Sequence, residues 1–181
     1  MNTTSAPATR YHGLWVAAHW LTGILIGISL YGGMAVLRHI DNLDPEKATM
    51  IRAHAIGGFV ILVLLLLRLA MRATTRKPPP ADTGSGAQKL ARRVVHVGLY
   101  LVAIAMVSTG VGTLAAAGAF PAVFEGTGAL PASFWDYPPR QGHMFFSRVL
   151  LLLVAVHVGA ALWHQFVRRD GLLRRMWFGP R

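Results

Sequence analysis

The sequence predicts an all-α integral membrane bundle of four helices with both termini on the cytoplasmic side. Three observations carry that prediction. Apolar residues make up 54% of the 181, and they gather in four blocks of membrane-crossing length instead of alternating as in a globular core. Lys and Arg flank those blocks unevenly, and the more basic side is cytoplasmic. Histidines recur inside the blocks, where polar side chains are costly and face a bundle interior, pair with something or bind something.

Composition removes several function classes. There is no cysteine, so disulfides, thiolate metal sites and covalent haem attachment are excluded. The net charge of +11 does not indicate nucleic acid, because the basic residues border apolar spans and do not form a stripe on a soluble domain. One transmembrane domain over 1–181 is expected. Its first span is too long for a signal-peptide core and is expected to be retained.

The first span is placed at 14–37, with Trp15 and Trp20 as interfacial anchors and His19 about a turn and a half inside. Gly23 and Gly27 follow on nearly the same face; close helix packing is favoured there over a flat ligand lying against bare backbone. A polar connection over 38–47 holds Asp41, Asp44 and Glu46. The second span, 49–71, carries His54 with Gly58 one turn on, and Arg52 near its start. Residues 72–93 read as a loop, with prolines at 78–80, a Ser/Gly run and basic clusters at both ends. The third span, 94–117, opens with His96 and Tyr100 one turn apart, and Gly110 and Gly112 are expected to loosen its far half. The connection over 118–141 is rich in proline and aromatics and is expected to lie in the interface as a lid.

The fourth span, 144–167, organises the rest. His143 and His157 stand fourteen residues apart, which on an α-helix is ~21 Å along the axis and just under four turns. Both imidazoles therefore leave the same side, one near each membrane face. His164 shares that side but lies where the helix meets Arg168, Arg169 and Asp170.

Lys and Arg around 72–93, in the tail and at Arg10 outnumber those of the other two connections, which hold five of the seven acidic residues. With the spans alternating, His19 and His157 then fall in the cytoplasmic half, and His54 and His143 in the outer half. Imidazole pairs bridging helices at two depths are the expected axial ligands of two b-type haems, stacked as an electron path across the membrane. Hydrogen-bonded core histidines are the bland alternative. Zinc or copper would instead need ligands clustered at one level.

Arg52 and Arg148 are candidate partners of haem propionates. His96, Tyr100, His164, Lys89 and Arg92 form a basic, partly wet group suited to a quinone head, with interfacial anchoring as the equal alternative. His164 is also the runner-up to His157 as inner ligand. His12 and His39 are expected to be ordinary surface residues.

The residues also resemble a known family, the bacterial cytochrome b561 proteins, related to the cytochrome b subunits of hydrogenases and formate dehydrogenases. The resemblance rests on Tyr11 with His19-Trp20, His54 with Gly58, the run from His96 to Tyr100, and above all HVGAALWHQFVRRDGLLRRM from His157 to Met176. It implies a four-helix protein of the bacterial inner membrane with two haem b groups on His19, His54, His143 and His157, exchanging electrons with ubiquinone. A bacterial member acts as a superoxide oxidase, so the resemblance admits superoxide as donor. The chain departs from the family in 120–140 and at Gly142, where a tryptophan often precedes the histidine.

Two redox functions follow as expectations. One is a superoxide:ubiquinone oxidoreductase in which Arg38, Lys47, Arg52, Arg140 and Arg148 steer a small anion to the outer haem. The other is an electron-transfer subunit fed by a dehydrogenase or a periplasmic cytochrome docking on the outer connections. A non-redox membrane protein with packed histidines is the third possibility.

Overall fold

The computed structural model describes residues 10–74 and 85–179. The described residues form α1 (Gly13–Tyr31), α2 (Lys47–Thr74), α3 (Gly86–Ala116) and α4 (Pro138–Trp163). A π turn and a short 3₁₀ turn carry α1 on to His39, and another π turn carries α4 on to Arg168. All four resulting helices are long and apolar enough to cross a membrane.

The helix ends have local causes. His12 caps α1, its Nδ1 accepting from the Leu14 amide. Ser85 and Gln88 form a reciprocal capping box, which starts α3 eight residues before the expected 94. Residues 86–93, read as loop because of their charge, are therefore helix. The prolines at 78–80 and the Ser/Gly run up to 84 lie outside the described residues. Pro138 and Pro139 open α4, where their missing amides cost nothing. The fourth helix thus also begins six residues earlier than its apolar run.

Inside the bilayer burial from water no longer drives helix association, so close backbone approach and satisfied polar groups must do so. α3 and α4 make the most extensive pairing. A Cβ added at Gly98, Gly112 or Gly142 would lie 3.3 Å from Leu153, Pro139 or Thr109 respectively. Gly112 is thus a packing residue, not a loosening one. Gly142 lets α4 approach Thr109. Gly23 and Gly27 are the reverse case: a Cβ at either meets nothing within 4 Å, so neither serves the helix packing expected of it. Thr22, Thr109 and Thr113 return their hydroxyls to carbonyls of the preceding turn, so no span carries them as unsatisfied donors. Leu66, Phe59, Leu152 and other large apolar residues face outward, as lipid contact requires.

The two ends of the bundle are built differently. At the proximal end, where the chain enters and leaves, the Tyr11 amide donates to the Arg175 carbonyl, and Trp20 Nε1 donates to Met176 and packs on Trp177. At the distal end the long connection folds inward. It contains a π turn, Pro121–Glu125, and a 3₁₀ turn, Phe134–Asp136. Ala119 and Val123 are fully buried against Leu114, Ile51 and Ala55. Asn42 ties it to the other distal connection by donating to the Pro131 carbonyl at 2.8 Å. Lys47, buried at the start of α2, donates to the Leu37 and Ile40 carbonyls and so closes the end of the first helix.

Candidate functional site

Each helix repeats the fourteen-residue interval first seen on α4. The pairs are His19 and Gly33 on the first helix, His54 and Arg68 on α2, His96 and Gly110 on α3, and His143 and His157 on α4. Every helix therefore presents one residue of each pair at the distal level and the other at the proximal level, on one side and ~21 Å apart.

At the distal level the imidazoles of His54 and His143 face each other with ring centres 6.1 Å apart. The other two helices supply glycine there. A Cβ on Gly33 would come within 3.2 Å of His54 Cε1, and one on Gly110 within 3.2 Å of His143 Cε1. Bare backbone is what lets both rings lie between the helices. His143 is oriented by its second nitrogen: Nδ1 lies 2.9 Å from the Met106 carbonyl and 3.3 Å from Thr109 Oγ1. A carbonyl can only accept, so Nδ1 carries the proton and Nε2 keeps a free lone pair.

Around the two rings lies a mostly apolar cavity of about 490 Å³, also lined by Gly58, Met34, Ile51, Phe120 and Phe134. Four cations, Arg38, Lys47, Arg140 and Arg148, line it with no carboxylate among its lining residues. Arg140 also lies over the Trp135 ring at 4.8 Å. Arg148 thus stands beside the distal pair, whereas Arg52 turns to the long connection and donates through Nε to the Val123 carbonyl.

At the proximal level three imidazoles converge. The His157 ring centre is 6.0 Å from that of His19 and 5.3 Å from that of His96. His96 donates through Nδ1 to the Arg92 carbonyl at 2.8 Å, leaving its Nε2 lone pair free. Arg68, absent from the candidates drawn from sequence, completes the level. Its Nη2 lies 2.9 Å from His19 Nδ1, and its guanidinium carbon is 5.9 Å from the centre of the Tyr100 ring. The signal that would have found it was present: a lone arginine in an apolar run, fourteen residues after His54.

Of the residues grouped for a quinone head, His96 and Tyr100 turn inward to this cluster, while Lys89 and Arg92 are exposed on the first turns of α3. His164 is drawn elsewhere. Its Nδ1 pairs with Asp170 Oδ2 and its ring packs on Trp163. Arg168 lies 3.6 Å from the same carboxylate.

Imidazoles gathered at two levels inside a four-span apolar bundle are the mark of the membrane cytochromes b. The family model of prokaryotic cytochrome b561 matches residues 10–179, and the chain belongs to that family. Among curated proteins it is similar to cytochrome b561 homolog 2 of Escherichia coli, 28% identical with 97% of this chain and 95% of that protein covered. It is also similar to cytochrome b561 homolog 1 of the same organism, at 24% identity with 92% and 96% covered. Cytochrome b562 of Cereibacter sphaeroides is 26% identical with 92% and 94% covered. Membership makes the chain a bacterial membrane cytochrome of the electron-transfer kind and implies haem b as its cofactor.

Proposed function

We propose that the chain holds two haem b groups, one on His54 and His143 and one on His19 and His157, and carries electrons between an extracytoplasmic donor and ubiquinone. The observation that carries this reading is the matched ring separation, 6.1 Å and 6.0 Å, at two levels of one bundle. Each pair would hold the iron of one haem through neutral imidazole nitrogens converging at its own level. The donor set fits as well. His143 has the tautomer that ligation through Nε2 needs, held by a carbonyl on its other nitrogen. The distal cavity is flanked by glycines where a flat macrocycle needs bare backbone.

When bound, haem b supplies a reversible one-electron couple. The protein's own part is to fix the ligand rings, exclude water with lipid-facing helices and close the distal end with the 118–137 connection. The excess of Lys and Arg in the 72–93 segment and the tail supports a cytoplasmic proximal end and an outward distal end.

Superoxide is the donor that the distal cavity favours, because four cations without a lining carboxylate attract a small anion. Each superoxide gives up one electron and leaves as dioxygen. Ubiquinone takes up two electrons and two protons to become ubiquinol, at the proximal end near His96 and Tyr100. Stopped-flow mixing of superoxide with the oxidised protein tests this reading. Haem reduction faster than spontaneous dismutation is expected, and its absence excludes superoxide and leaves a protein donor docking on the distal connections.

A further inference from the structure

Arg68 sits at membrane depth with no acidic neighbour among the described residues to match it. None of the seven acidic residues falls within a span: Asp41, Asp44, Glu46, Glu125 and Asp136 belong to the distal connections, Asp82 to the proline-rich segment and Asp170 to the tail. The guanidinium touches an imidazole nitrogen and the Tyr100 ring, and its Nε is buried without a hydrogen-bond partner. A buried cation left unpaired in this way is expensive, and such residues mark a site for an anion.

The hydrogen bond to His19 sharpens the point. Guanidinium only donates, so His19 Nδ1 accepts and the imidazole proton is on Nε2. Ligation through Nε2 needs the opposite tautomer, with the proton on Nδ1, where it repels the guanidinium. The group that takes His19 Nε2 must therefore also offer Arg68 a new acceptor. Haem does so, because it brings two carboxylates with it.

We propose that Arg68 is the anion anchor of the proximal site, pairing through Nε and an Nη with a carboxylate of the haem held by His19 and His157. This rests on the two-haem reading above. It also explains the asymmetry of α2, which offers a ligand at the distal level and a guanidinium fourteen residues on. Arginine is suited to the task because its planar fork meets a carboxylate at two points and stays charged at membrane depth.

The test uses the full chain carrying His54→Ala, which leaves the proximal site alone, produced without haem and titrated in detergent with haem or with haem dimethyl ester. A preference for haem over the ester of about tenfold or more is expected, the worth of a hydrogen-bonded charge pair. Adding Arg68→Gln should remove most of that preference, and Arg68→Lys should restore part of it. Equal binding of haem and ester with Arg68 intact overturns the proposal, and that measurement stands even if Arg68→Gln does not fold. Should the His54→Ala chain bind neither, the two-haem reading is what fails.

Discussion

The distal and proximal levels are built from the same four helices at the same fourteen-residue interval, yet they are different sites. Distally, α2 and α4 supply imidazoles and the other two helices supply glycine, so the rings have bare backbone beside them. Proximally, the glycine positions are occupied by His19 and His96, and the α2 position by Arg68. The distal site is a slot with four cations in its lining; the proximal site is a side-chain cluster with a guanidinium inside it. Helical periodicity therefore fixes where a site can be, and the choice between glycine, imidazole and guanidinium at the repeat fixes what it is.

The comparison breaks most visibly at the ligands. His54→Ala or His143→Ala should lose the distal haem and keep the proximal one, and His19→Ala or His157→Ala should do the reverse, halving the haem-to-protein ratio in each case. His96→Ala should retain both haems in the same assay. If His96→Ala loses the proximal haem while His19→Ala retains it, the partner of His157 is the α3 histidine.

Glycine at the distal level gives the next largest effect. Gly110→Val should drive its side chain into the His143 ring, already 3.2 Å from a bare Cβ, and lower distal occupancy with the proximal haem intact. A redox titration that resolves both haems measures this. Removing the Thr109 hydroxyl is milder, because His143 Nδ1 keeps the Met106 carbonyl. Thr109→Val should cost about 1 kcal/mol at most and be seen as a small fall in the thermal midpoint.

The smallest effect is expected at the tail. Partial burial raises the pKa of Asp170, but hydrogen bonds from His164 and the Leu172 amide outweigh it and hold the carboxyl below its usual range. A depressed carboxyl stabilises the fold above its ordinary pKa and loses that contribution as pH falls through the lower, folded value. Protection of the 170–176 amides, relative to their intrinsic exchange at the same pH, should therefore fall at acid pH, and Asp170→Asn should lower it at neutral pH without changing the haem count.

Much of this was legible in the chain itself. The four apolar blocks gave the four helices, and the spacing of His143 and His157 announced two levels. The repeat on the other helices was harder to see because it pairs unlike residues. Gly110 reads as a loosening point until the ring beside it is located, while Gly33 and Arg68 stand out only once their helices are set in register with α4. Helix starts at Gly86 and Pro138 fell in polar sequence, where a capping box and two prolines outweigh the lack of apolar residues. The partner of Arg52 was beyond reach for another reason. Its acceptor, the Val123 carbonyl, is 71 residues away, in a connection whose path only tertiary packing decides.

The central claim is one imidazole-held haem at each level, and a haem count with a redox titration of the purified, unsubstituted chain tests it directly. Two b-type haems per chain, titrating as two separable one-electron waves, are expected. A protein that saturates at one haem, or at none with haem in excess, would contradict it.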